Sequence, residues 1–300
     1  MKLELIHNMS DSEWDTALAQ FDVHFLFQRS PYLRFLEAMG YGRLLRFKIV
    51  ENDTVCGYFP AILMKKAFFN ILATPLTGWK TEYMGPAVNY GFNTDAFLNA
   101  LDDFCKRWGV HQVEIGNPIF EPNLMIRHGY LAYHWEVIAI DLSTDVEQMW
   151  RRLHKRCRNR IRKGLKNNLI SQESDNPLFA DNYYRQLIEV FERQKLAPHY
   201  PKIMVQRLVD SLKPHCLIST VEIKHHGKEI ASGLFLYDNQ WIYSFGIASE
   251  TKHIHLCPNE LLYWSAMTLG GRLGLKKFYV GGLYRTPRHG GIFKHKFNGH

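Results

Sequence analysis

The sequence predicts a mixed α/β protein made of two tandem copies of one unit, each a mixed, largely antiparallel sheet flanked by helices. Three observations carry that prediction. Segments of helical and strand periodicity follow one another in a similar order in both halves. Short glycine-bounded strings recur: Gly109-Val110-His111-Gln112-Val113-Glu114-Ile115-Gly116 parallels Gly274-Leu275-Lys276-Lys277-Phe278-Tyr279-Val280-Gly281 at an offset of 165 residues, and Cys56-Gly57-Tyr58-Phe59 parallels Ser232-Gly233-Leu234-Phe235 at an offset of 176. A wholly cationic segment separates the two halves.

The composition fits two domains of ordinary size: 300 residues, 46% hydrophobic and 14% aromatic, enough for substantial cores and unlike disordered or collagenous chains. Residues 1–10 carry Lys2 and Glu4 and no long apolar run, so no secretory leader is expected there, and no segment has the apolar length of a membrane span. The expected location is the cytoplasm, with peripheral contact to a membrane surface left open. Five scattered cysteines, an odd number, fit reduced thiols better than a disulfide framework.

In the first half, helices are expected at 11–20 and 30–38. Strands follow at 44–50 and 55–64 across an Glu51-Asn52-Asp53 turn, then at 68–73 and 83–88. Phe97, Leu101, Phe104 and Trp108 recur at helical spacing over 94–108, Gly109 stops that helix, and a strand at 110–115, a short helix at 122–128 and a strand at 133–142 complete the half. Thr144 and Glu147 have capping-box spacing, which starts a helix that links the halves. In the second half, helices are expected at 181–195 and 203–212, strands at 217–224, 229–237 and 241–248, a helix at 259–271 entered through Pro258, and a strand at 275–281. The predicted organisation is a first domain over 1–143, a basic linking helix over 144–168 and a second domain over 169–300.

Net charge is +8, but it is local: nine cations and no acid lie between Arg151 and Lys166, so the rest of the chain is close to neutral. Met149, Trp150, Leu153, Cys157 and Ile161 form a narrow apolar stripe, while Arg151, Lys155, Arg158 and Arg162 line another face. Solvated helix faces usually mix signs, and like charges at i, i+4 repel, so a polyanionic partner is the natural compensation: tRNA, a nucleotide diphosphate or an anionic lipid head group. Two further places draw notice. The helix beginning Pro258-Asn259-Glu260 follows a strand and so offers free amides and a positive dipole end to a phosphate or an oxyanion, or is simply a crossover. The Gly290-Gly291-Ile292-Phe293-Lys294 ending allows close backbone approach to a ligand, or is a terminal strand. His253, His255 and Cys257 have ligand spacing, but a single such cluster is a weak zinc signal.

These strings in this order resemble the Fem family and its GNAT-type acyltransferase relatives. The residues concerned are Arg158-Asn159-x-Ile161-Arg162-Lys163-x-x-Lys166, Pro258-Asn259-Glu260-Leu261-Leu262, Gly274 to Gly281-Gly282, and Phe293-Lys294. In the first half they are Val55-x-Gly57-Tyr58-Phe59-Pro60, Met84-Gly85-Pro86 and Ile140-Asp141-Leu142. The resemblance implies tandem GNAT-type domains and transfer of an acyl or aminoacyl group onto an amine, the acceptor bound by the first domain and the donor by the second. The implied acceptor is an amine-bearing small molecule, peptide or cell-envelope precursor. No heptad run provides the coiled-coil arm of some Fem enzymes.

The resemblance further implies Lys294 as electrostatic stabiliser near the carbonyl or a terminal phosphate; it identifies no general base, for which Tyr243 and Glu222 are the residues considered. Arg158, Asn159, Arg162, Lys163, Asn259, Tyr284, Arg285 and Phe293 are implied donor or phosphate contacts. Gln28, Arg29, Tyr32 and Tyr83 are implied acceptor contacts, and Trp79 and Tyr90 can line the same cleft or simply pack. Backbone amides at 245–248 would form the oxyanion site. No tightly bound cofactor is expected, the donor being a cosubstrate, aminoacyl-tRNA or acyl-CoA. Users of acyl-CoA carry a Gln/Arg-x-x-Gly-x-Gly/Ala loop after the central strand; the equivalent stretch from Ser249 to Pro258 contains no glycine, which favours aminoacyl-tRNA. A non-catalytic RNA-binding module is the remaining alternative.

Overall fold

The computed structural model describes residues 1–133, 136–282, 294, 296 and 297. The chain divides into two compact units, Met1–His134 and Trp135–His300.

The first unit runs β1 (Lys2–Leu5), α1 (Asp11–Leu18), α2 (Ser30–Ala38), β2 (Arg43–Glu51), β3 (Thr54–Lys66), β4 (Phe69–Thr74), β5 (Ala87–Val88), α3 (Thr94–Trp108), β6 (Gln112–Ile115) and α4 (Pro122–Arg127). Among the described residues its sheet has the order β1-β2-β3-β4-β6, with β5 paired to β3. Neighbours are antiparallel except β4 and β6, which are parallel because α3 carries the chain across between them. Local chemistry sets these boundaries. Ser10 and Glu13 form the capping box that starts α1. Asn93 caps α3, and Gly109 ends it at φ 59°, a left-handed conformation that glycine adopts without penalty. The two-residue turn Asn52-Asp53 has positive φ at both positions, the twist a tight hairpin demands. The strand expected at 83–88 shrinks to two residues, since Pro86 lacks an amide hydrogen. Phe47, Phe59, Phe97 and Phe104 anchor the core between sheet and α3, with edge-to-face centroid separations of 4.9 and 5.3 Å.

The second unit runs β7 (Val137–Asp141), α5 (Val146–Arg152), α6 (Lys155–Lys166), β8 (Ile170–Glu173), α7 (Phe179–Arg193), α8 (Lys202–Leu212), β9 (Ile218–His225), β10 (Lys228–Tyr237), β11 (Trp241–Ser249), α9 (Pro258–Arg272) and β12 (Lys277–Gly282). Its sheet order is β7-β12-β11-β10-β9-β8. Apart from the two-residue β5, which has no counterpart, the succession β8-α7-α8-β9-β10-β11-α9-β12 repeats the order β1-α1-α2-β2-β3-β4-α3-β6. The one parallel pairing in each copy joins the strands on either side of the crossover helix. The His226-Gly227 turn likewise has positive φ at both positions, as in the first copy. The repeat inferred from glycine-bounded strings is therefore a repeat of topology.

Two expectations need correction. The strand expected at 133–142 belongs not to the first domain but to the second: β7 pairs antiparallel with β12 at the edge of the second sheet. Strand periodicity reveals a buried face but not the partner. The basic segment is not one linking helix. It is two helices of the second unit, broken where Leu153 and His154 take ψ near 140° and His154 Nδ1 accepts from the Arg156 amide. Asp145, not Thr144, caps the first of them by accepting from the Gln148 amide. The apolar stripe is real: Met149, Leu153, Cys157 and Ile161 are buried in the core with Ile242, Leu262, Tyr263 and Phe278. Among the described residues no helix is long and apolar enough to cross a membrane.

Candidate functional site

The centre of the second unit is a gap between two parallel strands. Strands β11 and β12 pair only at Trp241–Lys277, Ile242–Phe278 and Tyr243–Tyr279, although β11 continues to Ser249 and β12 to Gly282. Both strands are irregular where the pairing stops. On β11 the register with β10 shifts between Leu234–Gly246 and Phe235–Ser244, leaving Phe245 as an extra residue. On β12 the register with β7 shifts between Tyr279–Ala139 and Gly281–Ile138, leaving Val280 extra. A bulge bends its strand and sharpens the local twist, so paired bulges splay two strands that would otherwise remain bonded. Backbone groups of β11 beyond Tyr243 thus face a partner strand that has turned away. The candidate oxyanion amides at 245–248 lie in this stretch.

Gly246 has a steric reason to lack a side chain. A Cβ there would lie 2.3 Å from the Tyr183 hydroxyl oxygen and 3.3 Å from that of Tyr200. Those hydroxyls are 2.7 Å apart, and both tyrosines are buried against β11, with the Tyr200 ring edge-on to Phe245 at 5.6 Å. Burial pushes the Tyr200 phenol up to about 12 and raises Tyr183 as well, so both are neutral hydroxyls at physiological pH. On the other face of the strand Ser244 Oγ lies 3.5 Å from the Tyr263 hydroxyl of α9. None of these tyrosines was singled out from the sequence; the usable signal was a glycine in the interior of a bulky apolar strand.

Helix α9 begins directly after the splayed part of β11. A 3-10 turn, Thr251–Leu256, fills the glycine-free stretch from Ser249 to Pro258. Cys257 then adopts φ 68°, the left-handed conformation a glycine would supply, at a cost of about 1 kcal/mol. Pro258 occupies the first turn, where a missing amide hydrogen does no harm, and no side chain caps the helix. The dipole's positive end meets Glu260, which is buried and shared between Arg160 of α6, at 2.8 Å, and the Lys296 ammonium. Burial pulls Lys296 below its ordinary value, against the opposing pull of Glu260. Asn259 sits beside this group with its side-chain oxygen buried and unbonded among the described residues. Lys294 Nζ donates to the Gly282 carbonyl at 3.1 Å, which places that ammonium at the end of β12, beside Gly281. Lys294 therefore stands at the end of β12, one of the two strands that bound the gap.

The α6 cations divide by environment. Arg158 donates to the Arg151 and Leu153 carbonyls and so caps α5. The Arg162 guanidinium lies 5.3 Å from the Trp150 ring centre. Arg160 is the α6 cation that meets a carboxylate among the described residues. Asn159, Arg162, Lys163 and Lys166 are exposed. The helix is anchored through Gly164, whose missing Cβ would lie 3.4 Å from the Leu256 carbonyl oxygen, so its buried face packs beside the entry to α9 and the exposed cations lie on the outer face.

Several expected site residues serve other ends. Gln28 is fully buried in the first unit, where its side chain donates to the Gly85 carbonyl and accepts from the Phe25 amide at 2.8 Å. Tyr32 is equally buried and bonded to Thr81 at 3.0 Å. Both knit that unit together rather than line an open cleft. Arg29 lies 3.7 Å from Asp15, and Tyr83 packs at 5.0 Å on Phe25. Trp79 is buried and stacks on Tyr41 at 4.5 Å, whereas Tyr90 is exposed. Tyr243 is buried and directs its hydroxyl to Asp238 at 3.3 Å, at the paired end of β11 rather than in the splay. Glu222 is buried on β9 and accepts from Ser174. His255 and Cys257 bond to the Lys252 and His255 carbonyls. Tyr284, Arg285 and Phe293 lie outside the described residues.

The sequence matches no family model and no curated protein. Solved structures do match. The structure of FemX superposes with a TM-score of 0.76 at 13% identity, covering 99% of this chain and 94% of that one. The C-terminal domain of a protein named as a lysylphosphatidylglycerol synthetase from Agrobacterium fabrum matches with a TM-score of 0.59 at 12% identity, covering 97% and 90%. A tandem GNAT protein from the clavulanic acid biosynthesis pathway matches with a TM-score of 0.52 at 9% identity, covering 99% and 95%. Identities this low speak to architecture, and over nearly its whole length the chain has the tandem GNAT fold shared with FemX.

Proposed function

We propose that this protein transfers an acyl or aminoacyl group from a polyanionic donor to an amine, with the reacting carbonyl held in the gap between β11 and β12. The observation that carries this reading is the splay itself: two parallel strands, each bulged just past its last shared pair, with the N-terminus of α9 and the Lys294 ammonium close to their ends. A neutral amine attacks the carbonyl carbon and forms the C–N bond. The resulting oxyanion is met by backbone amides of the open β11 edge and by the positive field of Lys294. Collapse breaks the bond to the leaving oxygen or sulfur, which takes up the proton the amine gives up.

The reading that the donor is aminoacyl-tRNA rests on α6. Its exposed Arg162, Lys163 and Lys166 lack carboxylate partners among the described residues, on the outer face of a helix whose buried face packs on a loop with no glycine for a compact pyrophosphate cradle. FemX and the synthetase domain share this architecture; for the acceptor we infer an amine-bearing cell-envelope precursor, peptide or small molecule. A second reading, transfer from acyl-CoA, draws on the tandem GNAT neighbour, whose structure is described as lacking AcCoA.

The test is transfer by purified protein to a panel of amines from labelled aminoacyl-tRNA and, separately, from labelled acetyl-CoA. Transfer from the tRNA is expected, with Lys294→Ala lowering the rate about 100-fold while tRNA binding persists. Labelling from acetyl-CoA by a protein with no affinity for tRNA at low salt would establish the second reading. RNA binding with no transfer, indifferent to Lys294→Ala, would make the protein a binding module.

A further inference from the structure

The second unit carries a groove that acyl transfer does not use. It lies along the C-terminal half of α9, against β8 and β9 at the opposite edge of the sheet from β12, and has a volume of about 280 Å³. Typical small-molecule sites begin at about 300 Å³, so the space suits a ligand of amino-acid size. Val221 and Leu269 give it an apolar floor.

The polar lining is selective because its hydroxyl protons are already committed. Ser219 donates to Glu173 at 3.0 Å. Ser265 donates to the Leu261 carbonyl at 2.8 Å, and Thr268 donates to the Ser265 carbonyl at 2.9 Å. Since Ser265 has spent its one proton, the 2.6 Å contact between Ser171 and Ser265 must be donated by Ser171. Each hydroxyl is left with acceptor capacity only, next to a carboxylate that Ser219 orients. These groups suit a donor with several N–H bonds, an ammonium. Arg272 lines the same groove and supplies the opposite charge; Glu173 and Arg272 form no ion pair with each other or with another described residue. Two opposite charges without ion-pair partners among the described residues, lining one cavity of this size, match a ligand carrying both.

We propose that this groove binds a free α-amino acid as its zwitterion, the ammonium on Glu173, Ser171 and Ser219 and the carboxylate on Arg272. The proposal is independent of the acyl-transfer reading, because neither charged residue lies at the β11–β12 gap.

Calorimetric titration of the full chain with L-serine tests it, with ethanolamine and lactate as analogues that keep one charge each. Saturable binding in the millimolar range is expected for serine, with both analogues at least about tenfold weaker. Glu173→Gln and Arg272→Gln should each weaken serine by a similar factor. Both side chains are exposed, so an unchanged melting temperature is expected and separates lost contact from lost fold. Absence of saturable serine binding, equal binding of a single-charge analogue, or folded variants that bind as the parent does would each overturn the proposal.

Discussion

Adding a single methyl group at Gly246 tests the geometry around the splayed strand. Glycine is required there by contact and not by backbone conformation, so Gly246→Ala leaves φ and ψ unstrained and places a Cβ 2.3 Å from the Tyr183 hydroxyl oxygen. That oxygen cannot swing into solvent, since Tyr183 is fully buried and bonded to Tyr200. Relief requires α7 to tilt away from β11. Overpacking of this kind costs about 1–3 kcal/mol, and breaking the Tyr183–Tyr200 hydrogen bond adds about 1 kcal/mol, so a total loss of about 2–4 kcal/mol is expected. The clash is specific to one oxygen, because the nearest Tyr183 ring carbon would be 3.5 Å from the new methyl, an ordinary contact. Tyr183→Phe therefore removes the obstacle. The double variant should be more stable than Gly246→Ala alone, a rescue of about 1 kcal/mol or more in a double-mutant cycle followed by urea unfolding. Gly246→Ala within about 0.5 kcal/mol of the parent, or a double variant in which the two losses simply add, would refute the packing described at the bulge.

Three further substitutions probe charges in the two units. Glu260→Gln removes the carboxylate shared by Arg160 and the buried Lys296, and should cost about 3 kcal/mol by chemical denaturation. Burial holds Lys296 below 10.5, so between its folded value and 10.5 the unfolded chain binds more protons; stability should rise with pH across that interval, and Lys296→Met should flatten the rise. In the first unit Asp11 receives two hydrogen bonds from Arg34 and one from the buried Arg46, which hold its carboxyl below 3.8. Its contribution is present above 3.8 and is lost as pH falls through the folded value. Since Asp11 is 41% exposed, Asp11→Asn should cost only about 1 kcal/mol at pH 7, and urea melts of parent and variant should converge in acid.

What the sequence revealed and concealed follows from the range of each signal. Helical spacing over Phe97 to Trp108, a stopping glycine and a following strand are all local, and the same arrangement around α9 and Gly274 was legible for the same reason. So were the hairpin turns at Asn52-Asp53 and His226-Gly227. Choice of partner is not local. Nothing in Val137–Asp141 says that it pairs with β12, and the bulges at Phe245 and Val280 exist only relative to a neighbouring strand. The break between α5 and α6 was hidden because the apolar residues Met149, Leu153, Cys157 and Ile161 keep helical spacing across it, and the start of α5 was obscured because Thr144 and Glu147 have capping-box spacing while Asp145 makes the bond. Gln28 and Tyr32 are polar residues that satisfy themselves inside a core, which residue type alone does not disclose. The ion group of Arg160, Glu260 and Lys296 joins positions 100 and 36 residues apart, although the cationic run and the helix start that contribute to it were each evident separately.

The salt dependence of tRNA binding bears most directly on the claim that α6 draws a phosphorylated donor to the second unit. Fluorescence anisotropy should be recorded over a range of salt for the parent and for Arg162→Glu combined with Lys163→Glu, two exposed positions whose loss leaves the buried stripe intact. For the parent, log affinity should fall linearly with log salt. Removing two phosphate contacts should reduce the magnitude of that slope by about 1.5. A parent protein that shows no salt-dependent affinity for tRNA, or a variant whose slope equals the parent's, would contradict a donor site on this helix.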